Sequence, residues 1–162
     1  MNIRSMNNQQ KLKLCRELIR EYKMKPLTFE GGFYLETFRS DTCSSILFLI
    51  TRQNFSRLHR LPTAEIYNFY FGDPVNMINI AGNGKLSFIK LGDNFKTGEK
   101  FQHVVPGGCW QASYLSEGGV FAMMGTIMAP AFKIGDFEDA TKYKQIMLDN
   151  YPDCNKLLEK LI

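Results

Sequence analysis

The chain holds two histidines, and one of them, His59, stands six residues ahead of a glutamate in the stretch FSRLHRLPTAEIYNFYFGDP. An imidazole and a carboxylate at that interval are the parts of a general acid–base pair or of half a metal site. Near neutrality an imidazole gives and takes protons readily, and a neighbouring carboxylate tunes where it does so. Tyr67 adds a hydroxyl two residues beyond Glu65, and Arg57 adds a fixed cation two residues before His59. Further along, Trp110 and Gln111 follow a proline–glycine turn and supply an aromatic wall and an amide. The metal reading starts short of ligands: with only His59 and His103 available, no three-histidine site can form in one chain.

The elements that must hold these groups are mostly strands. EGGFYLETFRS alternates after Gly31-Gly32, and SSILFLIT is a continuous apolar run of the kind covered on both sides. Alternation puts Phe55, Arg57 and His59 on one face, and Glu65, Tyr67, Phe69 and Phe71 on one face of a later strand. VNMINI and KLSFIKL read as a hairpin, with Asn83-Gly84 at its positive-φ positions. QHVVPGGCWQASYL is a strand pair broken at Pro106-Gly107-Gly108, and VFAMMGTIMA is another strand. Short strands at steady intervals between glycine turns predict a sandwich or barrel. One amphipathic helix over 8–25 precedes them, with Leu12, Cys15, Leu18 or Ile19, and Tyr22 inward and Pro26 as its stop. Asp136 reads as the N-cap of a helix with Phe137, Ala140 and Ile146 or Met147 inward, and a short helix follows from Pro152 to Leu161.

Composition narrows the classes. At 162 residues, 44% hydrophobic and 13% aromatic, the chain suits one domain over 1–162 with a sizeable core. No apolar run reaches the roughly 20 residues of a membrane-spanning helix, and MNIRSMNNQQ lacks the apolar region of a secretory signal. No membrane partner and a cytoplasmic location are therefore expected. Four cysteines lack CxxC spacing and read as reduced, packed thiols, Cys109 among them. The net charge of +4 owes much to Lys11, Lys13, Arg16, Arg20, Lys23 and Lys25, which read as a solvated helix face rather than a nucleic-acid surface.

Across nearly the whole chain, the ordered blocks EGGFYLETFRS, SSILFLIT, FSRLHRLPTAEIYNFYFGDP, LGDNFKTGEKFQHVVPGGCWQA, TIMAPAFKIGDFEDA and YPDCNKLLEKLI resemble the DUF985, or cupin 5, group of the cupin superfamily. The general cupin motif G-x5-H-x-H-x3,4-E-x6-G is met by His59, Glu65 and Gly72, with Leu61 in the place of the second histidine. The second motif, G-x5-P-x-G-x2-H-x3-N, is met by Pro106 and Gly108, with Gln111 for the histidine and Leu115 for the asparagine. Where the group often carries histidine in a block like EIWHFY, this chain has Asn68, and its usual His-Pro before Glu-Gly-Gly is Thr28-Phe29 here.

The resemblance implies an all-β fold, a double-stranded β-helix or jelly-roll cupin barrel over about 30–132, with an N-terminal helix and C-terminal helices over about 136–161. It also implies that motif positions face a cavity. His59, Glu65 and Tyr67 are then the candidate catalytic groups, and Arg57, Phe69, Trp110, Gln111 and Asn68 the candidate ligand-binding ones, although parity turns Asn68 away from Glu65 and Trp110 is equally a core residue. No cofactor is expected, since Leu61 cannot coordinate a metal; His59, Glu65 and Gln111 with waters form at best a weak divalent-cation site. The residues admit three readings. One is a metal-independent epimerase- or isomerase-like enzyme on a polar, carbohydrate-derived metabolite, with Arg57 holding an anionic group; the second is a binding or sensor module; the third is a homodimer, with SSILFLIT covered by a partner and a vestigial cavity.

Overall fold

Asn7 and Gln10 start the first helix by satisfying each other's backbone. Asn7 Oδ1 accepts from the Gln10 N–H at 3.0 Å, and Gln10 Oε1 accepts from the Asn7 N–H at 2.9 Å, a capping box. The structure, a computed structural model, describes residues 3–162; Met1 and Asn2, from the polar opening segment, lie outside the described residues. Helix α1 covers Asn8–Glu21 and is shorter than the expected 8–25. Lys23 takes a φ of 50° and turns the chain before Pro26 is reached, burying Met24. Lys25–Pro26 then forms a two-residue strand, β1.

The remaining strands are β2 (Phe33–Arg39), β3 (Ser44–Thr51), β4 (Ser56–Arg60), β5 (Glu65–Gly72), β6 (Val75–Ile80), β7 (Leu86–Leu91), β8 (Gln102–Val105), β9 (Trp110–Leu115), β10 (Phe121–Met128) and β11 (Glu138–Asp139). They form a six-stranded sheet ordered β1-β2-β3-β10-β5-β8 and a five-stranded sheet ordered β11-β4-β9-β6-β7. Phe48, Ile50, Tyr67, Phe69, Met77 and Met124 are among the residues of the inner core. Such a double-layered, antiparallel jelly roll is the fold the resemblance implied.

Each sheet has a helical cover. α1 lays Cys15, Leu14, Leu18 and Ile19 on the outer face of the six-stranded sheet, against Leu47, Leu49 and Phe121. SSILFLIT is thus covered on its outer side by the chain's own first helix. Leu12 and Tyr22, expected inward, are exposed. Lys11, far from being only solvated, reaches Asp73 in a largely buried ion pair. On the other sheet, α2 (Lys144–Asn150) and α3 (Asn155–Leu161) bring Met147, Leu158 and Leu161 against Leu58, Ile78 and Trp110.

Three local expectations change. Asp136 ends a 3-10 turn rather than capping a helix; Glu138–Asp139 pairs with β4, and Asp139 caps the next turn by accepting from the Thr141 N–H at 2.7 Å. Of Ile146 and Met147, only Met147 is buried. In the β6–β7 turn, Gly84 alone has a positive φ, of 79°, and Asn83 contributes its side chain, which accepts from the Lys85 N–H.

Candidate functional site

Two bulges decide which side chains enter the barrel. In β4, Ser56 opposes Ser113 and His59 opposes Gln111, so three steps along β4 match two along β9. The extra residue breaks simple alternation. Ser56 and His59 are fully buried while Arg57 is exposed, and Phe55 and Leu58 belong to the cluster under the C-terminal helices. In β5, the register against β10 slips between Phe69 and Phe71. Glu65, Tyr67 and Phe69 are buried, as alternation required, but Phe71 packs on the α1 side.

The expectation that Arg57 lines the cavity is therefore corrected. Its guanidinium donates to the carbonyls of Thr28 and Phe29 at 3.1 and 2.7 Å, and its backbone N–H donates to the Glu30 carbonyl. It clamps from outside the segment that carries Glu30. Asn68 likewise sits on the opposite face from Glu65, accepting from Gln102 Nε2. Trp110 is not a cavity wall: it lies against Tyr143 and under the Arg60 guanidinium, 4.7 Å from its ring centroid, beneath the C-terminal helices.

A cavity of about 330 Å³ opens at one end of the barrel, with Glu30, Glu65, Thr126, Tyr34, Phe29 and Phe132 among its lining residues. Leu61 also lines it. Glu36 and Arg39 line it as well, paired at 2.7 Å, with Arg39 also donating to the Phe132 carbonyl. Glu30 was not foreseen as a site residue. Its placement depends on the two glycines that follow it: Gly31 has φ 111°, and a Cβ there would lie 2.0 Å from the Phe55 carbonyl oxygen. Gly32 is fixed by Asn54, which both accepts from its N–H and donates to its C=O.

Behind the cavity wall the polar groups form a chain. Ser56 Oγ donates to Glu30 Oε1 at 2.6 Å. His59 Nδ1 lies 2.7 Å from the Arg57 carbonyl, so that nitrogen carries the proton and Nε2 presents its lone pair. That lone pair faces Gln111 Nε2 at 3.3 Å, and the same amide nitrogen donates to Glu65 Oε2 at 2.7 Å. Phe137 stacks on the imidazole, with centroids 5.0 Å apart and planes within 20°. Phe29 packs edge-on to Phe137 and parallel to Phe132, so an aromatic file runs from His59 to the cavity.

Burial sets the charge states. Desolvation pushes the Glu30 carboxyl up to about 7, against the opposing pull of Ser56 and Arg57. Glu65 is also raised, first by desolvation and then by Glu30, with His59, Thr126 and Gln111 pulling the other way. Desolvation lowers His59, which is therefore neutral at ordinary pH. Its Nε2 stands 4.0 Å from Glu30, but a neutral ring makes no ion pair. Tyr67 is driven well above its usual range by burial and by Glu65, which leaves the hydroxyl un-ionised. Of the sequence-derived residues, the structure brings His59, Glu65, Tyr67, Phe69 and Gln111 into the interior, and of these Glu65 lines the cavity.

The donor chemistry does not fit the weak divalent-cation site. Gln111 presents N–H groups, not an oxygen, to both Glu65 and His59, and an N–H-bearing amide nitrogen offers a cation no lone pair. Among the described residues, no group of three or more His, Cys, Asp or Glu side chains is placed to hold a metal. No helix among them is long and apolar enough to cross a membrane.

The family model described as "Cupin superfamily (DUF985)" matches residues 16–140. An uncharacterized Saccharomyces cerevisiae protein, YML079W, is 29% identical over 140 residues, covering 71% of this chain and 68% of the relative. Among solved structures, a hypothetical protein from Leishmania major superimposes with a TM-score of 0.81 at 25% identity, over 90% of this chain and 97% of that one. Protein SO0799 from Shewanella oneidensis gives 0.80 at 31% identity, over 90% and 94%. Oxalate decarboxylase from Bacillus subtilis gives 0.57 at 16% identity, over 82% of this chain and 35% of that one, a likeness of fold alone.

Proposed function

This chain belongs to the DUF985 family of the cupin superfamily, and on that footing we propose that it is a metal-independent, isomerase-like enzyme whose barrel-mouth cavity binds a small polar metabolite and moves a proton on it. The observation that carries this reading is the pair of carboxyls, Glu30 and Glu65, lining one largely apolar cavity. Convergent polar groups in an apolar cup are the usual make-up of a small-molecule site.

Glu30 is the proton-transfer group. Held near 7, it is partly ionised at neutrality and both accepts and returns a proton efficiently. Its carboxylate takes a proton from a carbon beside a carbonyl, the electron pair passes to the carbonyl oxygen as an enolate, and the carboxyl, whose proton exchanges with solvent, returns a proton to that same carbon as the carbonyl re-forms. No oxidant or reductant is needed. Glu65, tied down by Gln111, is the rigid group that orients the substrate's polar end. His59 and Tyr67, the groups nominated from sequence, act from behind: the neutral imidazole and its Gln111 amide hold Glu65 in place.

The test is exchange of substrate C–H for solvent deuterium, followed by mass spectrometry across a library of small carbonyl compounds that raise the melting temperature. Glu30→Gln should bind such a compound but exchange it on the order of 10²–10⁴ times more slowly. Full exchange by that variant overturns the assignment. The apolar walls, Leu27, Ile46 and Met128 among them, favour a second reading, a non-catalytic binding module. That reading gains if every stabilising compound is recovered without exchange.

A further inference from the structure

The charges lining the cavity do not balance. Glu30, Glu36 and Glu65 face Arg39 as the one cationic side chain among the described lining residues, and Arg39 is already committed to Glu36 and to the Phe132 carbonyl. The inner carboxyls have neutral partners only: Ser56 for Glu30, and Gln111 with Thr126 and Tyr67 for Glu65. Arg57 is near enough to act on Glu30, but its guanidinium is spent on two backbone carbonyls outside the barrel. His59 is neutral, with its one N–H on the Arg57 carbonyl.

The supporting layer adds no cation: behind the wall, Glu65 is held by the neutral Gln111 amide. Carboxyls in an apolar cavity whose lining arginine is already committed call for a positively charged ligand that donates N–H groups. The walls agree, because Phe29, Tyr34 and Phe132 line the same space, and aromatic faces attract an organic cation as well as its hydrocarbon body.

We propose that the cavity recognises a small amphipathic amine, its ammonium seated on Glu65 beside Glu30 and its apolar body against Phe29 and Phe132. This deepens the proton-transfer reading and rests on it for the choice of cavity: the substrate class becomes amino-carbonyl compounds, with the ammonium anchored by Glu65 and the adjacent carbon presented to Glu30. Anions are excluded by the same carboxyls, which removes the anionic substrate group that Arg57 was expected to hold.

Isothermal titration with phenethylammonium, phenethyl alcohol and phenylacetate, of nearly one shape and three charges, tests this on the full chain. The amine should bind about tenfold or more tighter than the alcohol, and phenylacetate should bind weakest. In buffers of different ionisation enthalpy, amine binding at pH 7 should release protons, because a cation beside Glu30 and Glu65 favours their ionised forms. Glu65→Gln should lose the preference for amine over alcohol while still binding the alcohol. Equal or tighter binding of the alcohol or phenylacetate overturns the proposal, as does failure of both phenethylammonium and butylammonium to bind at millimolar concentration. The two readings fail separately: turnover of an anionic carbonyl compound would sink the amine and keep the catalysis, whereas amine binding with no exchange of any amino-carbonyl compound would do the reverse.

Discussion

Gln111 Nε2 donates to Glu65 Oε2 at 2.7 Å. The amide also stands 3.3 Å from His59 Nε2, so one NH2 group engages both of the motif residues that a metal would use. His59 is already the tautomer a metal needs, with Nδ1–H on a backbone carbonyl and Nε2 turned inward. The obstacle is therefore local to residues 111 and 61.

Replacing both Gln111→His and Leu61→His should create a site. Two imidazoles would join His59 and Glu65, a donor set suited to divalent transition ions. Titration with Mn²⁺ or Ni²⁺ should show stoichiometric binding by the double variant, on the order of 100-fold tighter than by the parent chain. Equal affinity in the two proteins would show that Gln111 is not what keeps the ion out.

The raised Glu30 carboxyl makes stability depend on pH in a defined direction. Its folded value of about 7 lies above the ordinary 4.5, so the folded state favours the protonated form. The group's contribution is full below about 4.5, falls as pH rises through that interval, and is lowest above about 7. A shift of that size corresponds to about 3 kcal/mol. Glu30→Gln should therefore melt several degrees above the parent at pH 8, by about 2–4 °C per kcal/mol, with the gap closing by pH 4.5. Lowered His59 works oppositely, costing stability below its usual 6.5, and is unchanged by the substitution. A melting gap independent of pH would contradict the assignment.

Asp73 joins α1 to the barrel. One carboxylate oxygen meets Lys11, and the other accepts from the Val120 N–H at 2.7 Å, with both side chains largely buried. Asp73→Ala leaves a buried ammonium and a buried amide unpaired, and should cost about 2–4 kcal/mol in urea unfolding. Asp73→Asn keeps an acceptor for Val120 and should cost less. Two variants within 0.5 kcal/mol of the parent, roughly the scatter of neutral surface changes, would show that the contact is idle.

The barrel was legible because short strands, glycine turns and the ordered family blocks all agreed, and hydrophobic patterning survives small local errors. His59, Glu65, Tyr67, Phe69 and Gln111 reach the interior by alternation or by motif position. Arg57 does not, because a single extra residue in β4 inverts the facing of everything on one side of it. Phe71 is lost to the same kind of slip. Asn68 faces outward, as parity indicated, and Trp110 is drawn out of the cavity by helices α2 and α3 arriving on the outer face of its sheet.

Glu30, Ser56 and Phe137 were missed for a related reason. The signal for Glu30 was present in the EGG block, since a glutamate fixed before two glycines is held by backbone that no other residue can adopt. Nothing in sequence says that it meets a glutamate 35 residues later. The sequence alone determined the fold class, the helices before and after the barrel segment and the absence of a three-histidine metal set, since these depend on residue types and periodicity. Only the tertiary structure decided that Glu30 and Glu65 line one cavity while His59 lies behind its wall. Bulges and burial choose which side chains share a cavity and which charges they keep, and both are properties of packed strands, not of spacing along the chain.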